Sequence, residues 1–369
     1  MAGMESALDL NYKHQPPKRS DYIIGAAGAG FIMRDVQLVA YQNAGFRVDA
    51  IASRTRTHAT AAAELRGIPR VHADVAALTE DSAIEILDIA LPPDQQLPVV
   101  ARAARRPGPK LKGILAQKPL GFNYAQAQEI VDICHDSKVT LAVNQNMRWD
   151  QSIRALKTLL DRGDLGEPVL ATIEMRAVPH WQSWLDGYGR LTLLNMSVHH
   201  LDTFRYLFGT PDFVYASARK DPRTALSHSD GICLYILEYE SGFRASAWDD
   251  VWAGPSPQQI GTYIKWRVEG TEGLAEGTIG WPGYPNRQPS TIRYYSNRTP
   301  GVWHEPRWTD VWFPDAFSGP MAELMDAITE DRAPSNSGAD NLQTMALVEA
   351  CYQSLQQHRP VRVSVTDRY

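Results

Sequence analysis

Cysteine is nearly absent: the 369 residues hold three, Cys134, Cys233 and Cys351, each alone in an apolar stretch and none in a C-x-x-C pair. That excludes a disulfide framework and a thiolate metal cluster, and reads as three reduced thiols packed in a core. No apolar run approaches the roughly 20 residues that span a bilayer, and the amino terminus lacks a signal-peptide core, so the expected setting is the cytoplasm, with no membrane partner. Nor is there an excess of basic residues. With 37 lysines and arginines against 42 acids the net charge is -5, and no basic stripe is interleaved with aromatics, which argues against nucleic acid. Internal repeats and low-complexity tracts are missing too. The length itself allows about two domains, each with its own core.

The chain is organised around Asp21 to Met33, an apolar run that breaks into glycines and re-forms as a helix. Gly28 and Gly30 fit the first two glycines of G-x-G-x-x-G, with Met33 in the third place; the rival register from Gly25 to Gly30 loses the middle glycine. Bare backbone N–H groups at a helix start suit a diphosphate, so this reads as a nucleotide loop that includes Phe31 and Ile32. A helix over Arg34–Asn43, closed by Gly45, and a strand over Phe46–Ala52 complete a strand–helix–strand unit.

Residues 1–20 show no periodicity and are expected as a flexible tail. From 21 to 148, strands at 86–91, 112–116 and 139–143 alternate with helices at 57–66, 95–105 and 123–137, the pattern of a parallel sheet covered on both faces. Beyond a helix at 150–162 the grammar changes. Seven runs between 168 and 295 read as strands, mainly antiparallel, with helices at 198–208, 316–331 and 341–357. The fold class is therefore α/β: a Rossmann-type dinucleotide domain over 21–148, and a second α/β domain with a large, mainly antiparallel open sheet over 149–369.

Where a strand end in an NAD enzyme places an acid for the ribose, the chain has Ser53-Arg54-Thr55. Asp49 lies too far back along its strand. A hydroxyl beside a guanidinium suits a 2′-phosphate, so NADP(H) is favoured, with NAD(H) as the alternative. Lys118, in Gln117-Lys118-Pro119-Leu120, follows a strand and projects at the sheet edge where such folds bind ligands. In Asn195-Met196-Ser197-Val198-His199-His200-Leu201-Asp202, Asn195 and His199 stand one helical turn apart. Adjacent His199 and His200 diverge by about 100° and do not readily share an ion, so no metal is expected.

Gly28-Ala29-Gly30-Phe31-Ile32, Leu91-Pro92-Pro93, Gln117-Lys118-Pro119-Leu120, Asn195-x-x-x-His199-His200-x-Asp202 and Pro334–Asn341 together resemble the glucose-fructose oxidoreductase/inositol dehydrogenase/rhizopine-catabolism (Gfo/Idh/MocA) family, in order, from 21 to about 365. The resemblance implies a nicotinamide-dependent oxidoreductase acting on a secondary alcohol or ketone of a sugar, sugar derivative or cyclitol. It further implies Lys118, His199 and, at the position where the family has its acid, Asn195 as catalytic residues, and a homodimer or homotetramer formed through the second domain's sheet. Gln117 stands in place of the usual Glu, Gln96 where a His often follows the Pro-Pro pair, and Asn195 where Asp is usual; an amide orients a neighbour but takes up no proton. Leu91, Pro92, Gln96, Gln117, Lys118 and Trp181 join the cofactor candidates. Arg148, His180, Trp184, Asn195 and His199 join Lys118 as substrate candidates. Two other readings stand beside this one: glycoside cleavage through a transient keto-sugar with retained cofactor, and a non-catalytic sugar sensor.

Overall fold

A computed structural model describes residues 9–177, 183–223, 226–251, 262–280 and 287–364. Its contacts divide the chain into two compact units, one made of Gln15–Asn146 with Pro314–Met345, the other of residues 9–14, Met147–Phe313 and the chain from Ala346 onward.

The first unit is built on six parallel strands, β1 Ile24–Ala27, β2 Val48–Ala52, β3 Arg70–Val71, β4 Ile86–Ile89, β5 Gly113–Ala116 and β6 Thr140–Val143, in the order β3-β2-β1-β4-β5-β6. β1, β4 and β5 are buried at every residue, as strands covered on both faces must be. Ala27 pairs with both Ala52 and Ile89, so the residues that follow β1, β2 and β4 emerge together at the carboxyl edge, where the strand order reverses about β1 and β4. The connecting helices are α1 Leu38–Ala44, α2 Arg56–Arg66, α3 Val75–Glu80, α4 Pro93–Ala104 and α5 Tyr124–Ser137. Gly45, at φ 73°, closes α1, and Asn123 caps α5 by accepting the Gln126 N–H at 3.0 Å. Where a single helix over 34–43 is expected, a π-helical segment Ile32–Gln37 precedes α1. The two-residue β3 and six-residue α3 are too short to carry a periodic signal.

The second unit carries a nine-stranded sheet: β7 Pro168–Arg176, β8 Phe213–Arg219, β9 Ile232–Glu238, β10 Arg244–Asp250, β11 Tyr263–Gly270, β12 Gly273–Ile279, β13 Thr291–Ser296, β14 Trp303–His304 and β15 Val361–Arg362. Only the β7–β10 pair among them is parallel, which makes the sheet mixed and mostly antiparallel. Alternation sets its two faces: Ala171, Ile173 and Met175 point into the core with Cys233, Tyr235 and Leu237, while Leu234 and Ile236 stay exposed. Helix α6, Gln151–Asp161, packs against β12 and β13. Helix α7, Val198–Phe208, is preceded by a second π-helical segment, Leu193–Ser197.

Two features depart from the sequence reading. Residues 9–14, expected within a loose tail, are tied down: Leu10 is buried, its carbonyl accepts the Thr158 hydroxyl at 2.8 Å, and Tyr12 stacks on Trp308. Helix α8, Ser318–Glu330, expected with the second domain, packs on β5 and β6 of the first unit. Helix α9, Gly338–Gln357, begins in the first unit and ends in the second.

Candidate active site

In the parallel-sheet unit the glycine loop follows β1 directly. Gly28 has φ 111°, and a Cβ there would lie 2.5 Å from the Ala90 carbonyl oxygen, so only glycine fits. Gly30 differs. Its φ is not positive and a Cβ would meet nothing within 4 Å, so the fold itself does not demand glycine at this exposed position. A bare backbone beside a helix start is what a dinucleotide phosphate needs, and the loop fits that group. Gly25, the rival first glycine, is accounted for by packing, since its Cβ would crowd Ile84 at 3.0 Å. Met33 is fully buried.

After β2, Ser53 donates its hydroxyl to the Thr55 carbonyl at 2.7 Å, and Arg54 is exposed without hydrogen bond or ion pair among the described residues. Asp49 is held by Arg70 at 2.5 and 2.8 Å. Arg56, also exposed, opens α2 two residues after Arg54.

After β5 the chain turns through Gln117, Lys118 and Pro119, with a cis bond between the last two. Gln96 clasps the turn from α4: its Oε1 accepts the Gln117 N–H and its Nε2 donates to the Pro119 carbonyl, both at 2.8 Å. Gln117 donates from Nε2 to Gln37 Oε1 at 3.4 Å and accepts the Lys118 N–H at 3.0 Å. Both amides, expected at the cofactor, are thus buried and committed to holding the turn. Burial pushes the Lys118 ammonium down to about 7, so near neutral pH the amine exists in both protonation states.

In the mixed-sheet unit, Asn195 lies in the π segment and His199 in the first turn of α7, both buried. The His199 ring meets the edge of Trp312 at 6.1 Å. Three carboxylates fasten this helix. Asp230 accepts the Leu191 and Leu193 N–H groups at 2.8 and 3.0 Å and the Tyr352 hydroxyl at 2.8 Å. Asp249 bonds His200 Nδ1 at 2.8 Å and accepts the Ser197 hydroxyl and, at 3.3 Å, that of Tyr235. Asp202 takes two hydrogen bonds from Arg148, at 2.6 and 2.7 Å. Arg148, expected at the substrate, therefore has its guanidinium bound into a buried ion pair, and His200 is a fully buried packing residue.

Two family models match the chain: the oxidoreductase family's NAD-binding Rossmann fold over residues 23–145, and its C-terminal alpha/beta domain over 157–363. The chain belongs to the Gfo/Idh/MocA oxidoreductase family. It is 26% identical over 346 residues to the D-apiose dehydrogenase of Paraburkholderia graminis, covering 91% of this chain and 88% of that one. To the inositol 2-dehydrogenase of Rhizobium meliloti it is 25% identical over 351 residues, covering 92% and 98%. A levoglucosan dehydrogenase solved with NADH and L-sorbose shares the fold, with a TM-score of 0.80 at 18% identity over 94% of this chain and 100% of that one. This Gfo/Idh/MocA protein is accordingly an NAD(P)-dependent oxidoreductase.

Of the remaining candidates, Phe31, Ile32, Leu91 and Pro92 are partly exposed in the first unit. Trp184 is partly buried in the second, edge-on to Tyr188 at 5.5 Å. His180 and Trp181 lie outside the described residues. Sequence reasoning misses Trp312, Asp230, Asp249 and Asp88. For the last two a signal exists: a carboxylate inside an apolar strand, Ile-Leu-Asp-Ile in β4 and Ala-Trp-Asp-Asp in β10, needs buried partners. Among the described residues, no helix is long and apolar enough to cross a membrane, and no three His, Cys, Asp or Glu side chains are grouped to hold a metal ion.

Proposed function

We propose that this oxidoreductase oxidises a secondary hydroxyl of a sugar, sugar derivative or cyclitol, or reduces the matching ketone. The observation that carries the reading is Lys118: an amine with its affinity for protons lowered to about 7, at the carboxyl edge of the parallel sheet, in a chain whose relatives include apiose and inositol dehydrogenases. Gly28, Gly30, Phe31, Ile32, Leu91 and Pro92 hold the dinucleotide. When bound, its nicotinamide supplies the hydride chemistry. Lys118 and His199 share removal of the hydroxyl proton, and Lys118 stabilises the developing alkoxide charge. Asn195, a neutral amide, orients His199 or a substrate hydroxyl. Trp184, with His180 and Trp181, contributes to substrate binding.

The nucleotide is NADP(H). Exposed Arg54 and the absence of any acid at 53–55 support a 2′-phosphate, and Asp49, the nearest acid along the chain, is paired with Arg70. The test is a panel of sugars and inositols, D-apiose and myo-inositol included, read by nicotinamide absorbance with both nucleotides, with Arg54→Ala in parallel. A charged hydrogen bond of about 1.5–3 kcal/mol predicts roughly tenfold to hundredfold loss of preference for NADP(H). Equal losses for both nucleotides refute the assignment, and no turnover of any polyol refutes the substrate class.

We place the protein in the cytoplasm, in keeping with three buried free thiols. It assembles as a homodimer or homotetramer through the open sheet, where Leu234 is 51% and Ile236 46% exposed. Light scattering of a Leu234→Glu/Ile236→Lys variant tests this, and an unchanged mass rejects it.

A further inference from the structure

Among the buried carboxyls that the mechanism does not use, one lies on β4 of the parallel-sheet unit. Asp88, in the middle of β4, has no exposed surface; both of its oxygens accept from Gln37 Nε2, at 2.9 and 2.8 Å, and one also accepts the Tyr41 hydroxyl at 2.8 Å. An ionised carboxylate only accepts hydrogen bonds. It therefore dictates which end of the Gln37 amide faces it, and leaves Gln37 Oε1 as an acceptor on the other side. That oxygen takes the Gln117 Nε2–H, which in turn leaves Gln117 Oε1 to take the Lys118 N–H. Each amide in this buried chain has its direction set by the one before it, and the first is set by Asp88.

We propose that Asp88 is a positioning residue for Lys118, its carboxylate fixing the polarity of the Gln37–Gln117 amide chain that ends on the Lys118 N–H. This rests on the reading of Lys118 as a catalytic residue. The same logic accounts for glutamine at 117. A glutamate there would present a second acceptor to Gln37 Oε1, and turning the Gln37 amide around would only set its oxygen against Asp88. One pair of changes satisfies every group again. In Asp88→Asn/Gln117→Glu, the Asn amide donates to Gln37 Oε1, Gln37 donates to the Glu carboxylate, and that carboxylate accepts the Lys118 N–H. The charge has then moved from one end of the chain to the other.

The experiment is a double-mutant cycle on the full chain at pH 9, above the value of about 7 to which burial raises Asp88. Amide hydrogen exchange is followed at Lys118 and along β5, and kcat and KM with the best substrate among D-apiose, myo-inositol and the rest of the panel. Asp88→Asn and Gln117→Glu each speed exchange at the Lys118 amide about two- to tenfold, the worth of one hydrogen bond, with β5 unchanged. Each lowers kcat by up to about a hundredfold with little change in KM, as expected for a misplaced catalytic group. The double variant returns to near the parent in both. Gln37→Met cuts the chain at its middle, gives the same exchange rise, and serves should Asp88→Asn fail to fold. Exchange increases that multiply in the double variant overturn the inference; so does recovered protection at Lys118 without recovered kcat. Full turnover by Lys118→Ala instead overturns the catalytic reading of Lys118, whatever the exchange cycle gives.

Discussion

The turn that carries Lys118 is held by uncharged amides, and the helix that carries His199 is held by carboxylates. The difference follows from what each backbone offers. A turn presents an N–H and a C=O side by side, and Gln96, with one acceptor and one donor, meets both. The start of a helical segment presents only N–H groups at the positive end of its dipole, and there Asp230, an acceptor with a charge, is the matching partner. Asp202 and Asp249 extend the same device along α7 by taking hold of Arg148 and His200. The two units thus hold Lys118 and His199 in different ways, the turn by direct contact with neutral amides and the helix by direct contact with carboxylates.

The sharpest way to break the comparison is kinetic. Lys118→Ala and His199→Ala should each lower kcat by about 10² to 10⁴ while leaving nucleotide Kd near the parent value, the usual worth of a positioned proton-transfer group. Asn195→Ala should cost less, because an amide moves no proton. Steady-state kinetics and nucleotide titration on the three variants decide it. If Asn195→Ala is as damaging as His199→Ala while Lys118→Ala turns over normally, the roles assigned to the two units are wrong.

Stability should separate charge from amide next. Asp202→Ala leaves the Arg148 guanidinium buried without its carboxylate and should cost about 3–5 kcal/mol in urea unfolding. Gln96→Ala removes a neutral clasp and should cost about 1–3 kcal/mol. Replacing both members of the ion pair, Arg148→Met with Asp202→Leu, should recover much of the first loss, whereas equal costs for the two single variants would erase the distinction.

The smallest effect is pH-linked. Burial raises Asp150, the cap of α6, to about 6 despite hydrogen bonds from Ser152, Ile153 and Ser290. A carboxyl that binds its proton more tightly folded than unfolded stabilises the fold fully below about pH 4, and that contribution is lost as pH rises through about 6. The gap between about 6 and the ordinary carboxylate range limits this to about 3 kcal/mol. Asp150→Asn should flatten the fall in stability between pH 4 and 7. Asp88, raised to about 7 in the other unit, has the same sign and should still leave a slope at higher pH.

How much of this is legible in the sequence depends on separation along the chain. The glycine loop, the Lys118 turn and the helix of His199 each lie within a dozen residues and carry their own pattern. The strand runs of both sheets are legible for the same reason, their alternation or continuity being local. The supports are not. Gln37 lies 51 residues from Asp88 and 80 from Gln117, and His200 lies 49 from Asp249, distances over which no periodicity connects one residue to another. The π segments at 32–37 and 193–197 are hidden for a different reason: lengthening the hydrogen-bond step by one residue leaves composition untouched. Arg148 and Gln96 show the cost, since both look available in the sequence and both are bound into the fold.

The return of Pro314–Met345 to the parallel sheet sets an order on the making of the protein. A Cβ on Gly113 of β5 would lie 2.7 Å from Ile328 in α8, and β6 exchanges two hydrogen bonds with Asn336: the Val143 N–H to its carbonyl, and its Nδ2 to the Val143 carbonyl. These partners leave the ribosome after almost the entire mixed sheet. The nucleotide-binding unit, whose strands are made before the mixed sheet, cannot close its core over β5 and β6 until Pro314–Met345 has been made, some 170 residues after Asn146.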